Sequence, residues 1–231
     1  MTLLTIVQDA CADIGFPEPT TVVGNAEAAQ YFRLANREGE ALSRFQWEIL
    51  TKEHTFVLVT ADQDYALPAD FRYIIDATQW NRDNQRALIW INSTQWQFFK
   101  SWTTVNGLNL RARIRNNEFE FEQALTSSDN GKTIAFEYVS KYWSQTTGGT
   151  DQQKFAADDD VSNLDEEIMT LGLIWRFKKA KGLEYMPDLM EYNLQVKQAR
   201  ARDGGSIYVR TGYAGREHLG VNTPEGNYPS A

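Results

Sequence analysis

Residues 110–122 read Leu-Arg-Ala-Arg-Ile-Arg-Asn-Asn-Glu-Phe-Glu-Phe-Glu, and the kind of fold around them follows from this stretch. Arg111, Arg113 and Arg115 alternate with Ala112 and Ile114, and Glu118, Glu120 and Glu122 alternate with Phe119 and Phe121. A period of two is that of a β-strand, whose successive side chains point to opposite faces. Between the runs stands Asn116-Asn117, and Asn tolerates the left-handed backbone that a two-residue hairpin turn requires. Closing the turn there sets Arg115 opposite Glu118, Arg113 opposite Glu120 and Arg111 opposite Glu122. Every charge meets its opposite, each pair worth about 0.2–1 kcal/mol, and the apolar side chains fall together on the other face. The prediction is an antiparallel hairpin with a solvated, charge-paired face.

Similar strand signals surround it. Lys132 to Val139 alternates after the turn Asp129-Asn130-Gly131. Upstream, Thr55 to Thr60 and Tyr65 to Leu67 read as strands around an Ala61–Asp64 turn, ended by Pro68-Ala69-Asp70, since Pro cannot donate to a central ladder. Ile74 to Trp80 and Arg86 to Ile91 form a second predicted hairpin around Asn81–Gln85. Ser93 caps a short helix through Trp102, and Asn106-Gly107 is a turn signal.

Helical periodicity stands at both ends. Leu3, Val7, Ala10, Cys11 and Ile14 share a face of a helix over Thr2–Ile14, closed by Gly15 with Pro17 beyond. Asn25 can cap a second helix carrying Tyr31, Leu34, Ala35, Ala41, Leu42 and Phe45, which ends near Phe45 or Gln46. Asp165, Glu166 and Glu167 open a late helix, while Arg176, Lys178, Lys179 and Lys181 crowd its last turn, a polarity that suits the helix dipole. Gly182 caps it. Pro187 fits the first turn of a final helix that stops at Gly204-Gly205. The expected class is therefore α+β: N- and C-terminal helices form a bundle, a mainly antiparallel β domain is inserted, and an extended C-terminal arm follows. In residue numbers these are 1–50 and 165–203 for the helical body, 51–143 for the β region, 144–164 for a loop and 204–231 for the arm.

The arm holds six of the chain's fifteen glycines and two of its six prolines. Ile207, Tyr208, Val209, Tyr213, Leu219, Val221 and Tyr228 are spread along it, with Arg210 and Arg216 among them. Ordering each backbone residue costs about 1–2 kcal/mol, and such a segment buries little by itself in return. Fully extended it reaches about 90 Å, at ~3.3 Å per residue. It reads as an arm that orders on another subunit, which points to an assembly part; a frayed terminus is the plainer alternative.

A chain of 231 residues with 42% apolar and 23% charged composition is long enough for a core without staples. The net charge of −8 argues against a protein whose main task is gripping nucleic-acid phosphates, although an acidic wall lets DNA slide past. A single cysteine leaves no disulfide framework. No basic start with a long apolar run suggests a signal peptide, and no segment nears the ~20 apolar residues of a membrane helix. A soluble protein made inside the cell is expected, with no membrane partner.

Chemistry-bearing patterns are sparse. The glutamates of the hairpin resemble a glycosidase pair only until the facing arginines are counted. Asp158, Asp159, Asp160, Asp165, Glu166 and Glu167 lack the alternating ligands, the Gly and the closing Glu of a calcium loop. Cys11 lies on an apolar stripe, His54 and His218 are far apart, and no nucleophile elbow, phosphate loop or dinucleotide motif occurs. The reading is no catalytic residue, no metal and no cofactor. The basic run Arg176–Lys181, with Lys197, Arg200 and Arg202, complements the dipole and a solvated face; DNA phosphates and an acidic neighbouring subunit are two further partners open to it. The tryptophans, Trp47, Trp80, Trp90, Trp96, Trp102, Trp143 and Trp175, read as core or subunit interface, with sugar-stacking platforms as the alternative.

In order along the chain, four stretches carry a resemblance: Asp13-Ile14-Gly15-Phe16-Pro17; Arg44-Phe45-Gln46-Trp47; Tyr65-Ala66-Leu67-Pro68-Ala69-Asp70-Phe71 with Ile74; and Trp175-Arg176-Phe177-Lys178-Lys179-Ala180-Lys181-Gly182-Leu183. Together they resemble the head-to-tail adaptor proteins of tailed bacteriophages, the tail tubular protein A type, over most of residues 1–203. The resemblance implies a structural virion protein at the head-tail junction, assembled in the host cytoplasm. It would form a homo-oligomeric ring of twelve copies between the portal protein and the downstream tail or nozzle protein. Double-stranded DNA would pass through the lumen without specific binding, and the arm from Ile207 to Tyr228 would dock on the portal. Residues 80–110 look expanded against the compact members. The rival readings are a carbohydrate- or surface-binding tail module and a carboxylate glycoside hydrolase.

Overall fold

The computed structural model describes residues 1–101 and 109–203. Helix α1 (Leu3–Ile14) begins where the Thr2 hydroxyl accepts the Thr5 N–H at 3.3 Å and ends at Gly15, whose φ of 81° closes it in the left-handed region. Helix α2 (Ala29–Leu42) is shorter at both ends than its periodicity predicts. Asn25 does accept an N–H, but that of Glu27 at 2.9 Å, in the turn ahead of the helix. At the far end the Trp47 indole donates to the Leu42 carbonyl at 2.8 Å, occupying an acceptor that a longer helix would use.

After one 3-10 turn at Glu48–Leu50 come the strands β1 (Thr51–Val57), β2 (Asp64–Ala66), β3 (Phe71–Ile74), β4 (Trp80–Asn81), β5 (Arg86–Ala87) and β6 (Ile89–Trp90). Helix α3 (Ser93–Ser101) precedes β7 (Arg111–Arg115), β8 (Glu118–Phe121) and β9 (Thr133–Ser140). The stretch expected to be a loop contains a small antiparallel sheet of β10 (Ser144–Gln145), β11 (Asp151–Gln152) and β12 (Val161–Ser162). Helices α4 (Glu166–Lys181) and α5 (Met186–Asp203) close the described chain, α4 opening on an Asp165 cap and ending at left-handed Gly182.

Strand β9 organises the larger sheet. One edge pairs with β1 from Thr51↔Val139 to Val57↔Thr133, and the other is shared by β3 and β4. Between those two strands the chain leaves the ladder, and the Thr78 hydroxyl fills in, donating to Ile75 O at 2.7 Å and accepting Glu137 N–H at 3.1 Å. The second sheet runs β2-β8-β7-β6, with β6 parallel to β7. Strands β1 and β2 thus belong to different sheets, which corrects the hairpin expected around Ala61–Asp64. The short β2 has three residues to offer, whereas β9 satisfies all seven of β1. The expected hairpin around residues 81–85 survives as β4 and β5 alone.

Two cores result. In the helical body α4 packs against α1, α2 and α5. A Cβ on Gly39 would collide with the buried Trp143 ring, and one on Gly172 with the Glu38 side chain, so these close approaches require glycine. Glu38 is fully buried, ion-paired with Arg176 and accepting the Tyr192 hydroxyl at 2.5 Å. The second core gathers Leu58, Phe119, Phe121, Ile134 and Phe136 between the sheets, Phe119 stacked on Phe136 at 5.5 Å. Strand β9 serves both, since Val139 joins the helical core while Ile134, Phe136 and Tyr138 join the other. The architecture is α+β, with helices at both ends of the described chain and a mainly antiparallel region between.

Candidate assembly surfaces

At the hairpin turn Asn116 and Asn117 take φ of 53° and 63°, and the register sets Arg113 opposite Glu120 and Arg115 opposite Glu118. Arg113 Nε donates to Glu120 Oε2 at 2.8 Å, and Arg111 Nε to Glu122 Oε2 at 2.9 Å. Arg115 and Glu118, at the turn, stay exposed. The expectation of a solvated face needs correction for the two inner pairs. Helix α3 lies over them: the Arg113 guanidinium stands 3.5 Å from the Trp96 ring centroid and that of Arg111 4.3 Å from the Phe99 ring. Lys100 Nζ adds a bond to the Glu122 carbonyl at 2.9 Å. The arrangement is a sandwich of cation–π contacts over buried ion pairs, so these glutamates hold strands and a helix together.

The acidic run around Asp158 is spent on backbone donors. The Asp158 carboxylate accepts Val22 and Val23 N–H at 3.1 and 2.7 Å, Asp160 accepts Ala156 and Ala157 at 2.6 and 2.8 Å, and Asp165 caps α4. The Asp158 bonds staple the loop ahead of α4 to the connector between α1 and α2, while those of Asp160 and Asp165 close the loop and start the helix.

Asp70 has a larger part than ending a strand. Its carboxylate accepts Tyr138 and Ser140 hydroxyls, each at 2.8 Å, and the Lys52 ammonium at 3.1 Å, while Lys52 also reaches Asp151 at 2.6 Å. Burial alone would raise this carboxyl, but Ser140, Tyr138 and Lys52 outweigh it and hold it below the usual carboxylate range. The cluster ties β1, β9 and β11 together. Nothing in the sequence pattern marks it, because the partners lie 18, 68 and 70 residues from Asp70. Cys11 is buried on α1, and burial pushes its thiol up, away from reactivity.

Among the tryptophans Trp47, Trp96 and Trp143 are core, and Trp90 is 39% exposed beside Phe119. Trp102 lies outside the described residues. Helix α5 turns Tyr192, Val196 and Ala199 inward but leaves Met186, Met190 and Leu194 exposed at helical spacing, Met190 at 65%. Of the basic run, Arg176 is consumed by Glu38 and Lys178 by Asp188 at 2.7 Å, whereas Lys179 stands over the Trp175 and Tyr185 rings. The arm residues Ile207, Tyr208, Val209, Arg210, Tyr213, Arg216, Leu219, Val221 and Tyr228 lie outside the described residues.

No helix among the described residues is long and apolar enough to cross a membrane. The model of the SU10 adaptor protein family matches residues 1–213. The chain belongs to the SU10 adaptor protein family. As a member of this structural family of phage adaptors, it shares the broader kinship expected from the four stretches; the narrower tail tubular protein A assignment forms no part of the match. The SU10 adaptor match takes in the helical segments at both ends of the described chain and the β region, and it ends at residue 213, outside the described residues. A search among curated proteins finds no match.

Proposed function

We propose that the chain is a subunit of a ring, of twelve copies, that joins the portal protein to the downstream tail or nozzle protein and lets DNA pass through its lumen. In this reading the protein is not an enzyme, and its place is the virion, at the head-tail junction. The observation that carries the reading is the family match across residues 1–213. The net charge of −8 supports it, since a conduit for DNA must not bind what it conducts. The side-chain chemistry supports it too: the carboxylates weighed as a glycosidase pair and as a calcium loop hold strands, loops and a helix start together. The helices of residues 1–50 and 165–203 form the ring body, and the β region of residues 51–143 faces the next tail component.

The arm, residues 204–231, docks on the portal through Ile207, Tyr208, Val209, Tyr213, Leu219, Val221 and Tyr228, with Arg210 and Arg216 contributing charge. Its ordering cost then falls due only when the partner surface exists, which makes assembly sequential. Sedimentation tests the arm. The full chain should join purified portal rings, and a chain ending at Asp203 should stay folded yet remain unjoined. Equal joining by the truncated chain would reject the arm's role.

A further inference from the structure

Between α2 and α4 opens a cleft of about 370 Å³ lined by Leu34, Arg37, Trp175, Arg176, Lys179 and Ala180. Among the described residues Arg37 and Lys179 have no acidic partner, and both are exposed. The indole Nε1 of Trp175 is buried and has no acceptor there. Two exposed cations without an acidic partner at one cleft favour a carboxylate there. Arg176 adds nothing to this demand, since Glu38 already takes its charge.

The same body carries the complement. Helix α1 buries Leu3, Ile6, Val7, Ala10 and Cys11, and it turns Asp9 and Asp13 outward. These two aspartates are one helical turn apart, neighbours on one face, and neither has a hydrogen bond or an ion pair among the described residues. Their flank differs from that of the cleft. Phe16, just past the end of α1, packs on Phe177, whereas the cleft is built on Trp175 and Lys179. Two residues of helical phase place Phe177 about 200° around α4 from Trp175. The acidic pair thus stands on α1 and the basic cleft on α2 and α4, as separate surfaces of one body.

The geometry points to a head-to-tail contact between copies of this chain, in which Asp9 and Asp13 of one copy enter the Arg37–Trp175–Lys179 cleft of the next. Opposite charges on two different faces make a heterologous interface, and such an interface closes into a ring when its rotation allows. Copies with a net charge of −8 repel at long range, so a local basic cleft also sets which faces meet. This contact rests on the ring reading above and names the surfaces that would build it.

Two experiments on the full chain decide it. In the first, the double variant Asp13→Cys/Lys179→Cys is mildly oxidised at high concentration. It should give a series of cross-linked multimers on a non-reducing gel, while Asp13→Cys or Lys179→Cys alone stops at dimers. The absence of multimers would overturn the contact. In the second, charge is reversed on one flank, by Asp9→Lys/Asp13→Lys or by Arg37→Glu/Lys179→Glu. Each pair should lower self-association at least about tenfold in low salt, a loss of about 1.4 kcal/mol. All four substitutions together should restore it. Reversed variants that assemble on portal rings as the unmodified chain does would place the interface elsewhere and leave the adaptor reading standing. Failure of the unmodified chain to join portal would instead count against the adaptor reading, with the cross-linking result still deciding the contact.

Discussion

Asp70 illustrates what a single side chain contributes here. In the sequence it completes a Pro-Ala-Asp corner that ends a strand; in the fold it collects a lysine and two hydroxyls from β1 and β9. Its folded carboxyl lies below the ordinary value, so the unfolded chain binds the extra proton in acid. The stabilisation is therefore complete above the unfolded value of about 3.9 and is lost as pH falls through the lower folded value. Asp70→Asn keeps the shape but removes the charge facing Lys52 and an acceptor for the hydroxyls. It should cost about 1–3 kcal/mol near neutral pH. It should also flatten the fall of the melting temperature below about pH 4, because the group that titrates there is gone. A melting curve whose acid limb matches the parent's would refute this role. Glu38 makes the same point about legibility: a glutamate on an amphipathic helix reads as solvent-facing, and only the meeting of α2, α4 and α5 shows it fully buried against Arg176 and Tyr192.

Among the elements, the hairpin of β7 and β8 was legible down to its register, because its information is local: a turn of two asparagines and a period of two. Its environment was not legible. The cover provided by α3 is a tertiary event, and it separates pairs that look equivalent in sequence. Glu120 and Glu122 answer buried arginines, whose guanidiniums would be left uncompensated if the acids were removed; Glu118 stands exposed near the turn. Glu120→Ala or Glu122→Ala should each cost about 3–5 kcal/mol, the range for breaking a buried pair. Glu118→Ala should change stability by no more than about 1 kcal/mol. Denaturant midpoints of the three variants check the ordering, and equal losses would mean that α3 does not seal the inner pairs. The β1–β2 hairpin failed as an expectation for the opposite reason: the turn signal was real, but the longer ladder on β9 lies over seventy residues away in sequence and wins.

For the whole molecule, fold class and the placement of helices at both ends followed from periodicity, since amphipathic stripes and caps are written in adjacent residues. The small sheet of β10, β11 and β12 did not, as strands of two residues carry no periodic signal. The proposed assembly surfaces draw on the sequence only in part. The arm stood out by composition, and the basic run by charge, but which of its cations stay unpaired depended on Glu38 and Asp188 reaching Arg176 and Lys178 first. The central claim is that this chain is built to join others at a portal. Electron micrographs of the full-length protein mixed with purified portal rings test it most directly. The account predicts particles with a second ring of adaptor density seated coaxially on the portal, twelvefold in end views; portal rings that stay bare across a wide excess of the protein would contradict it.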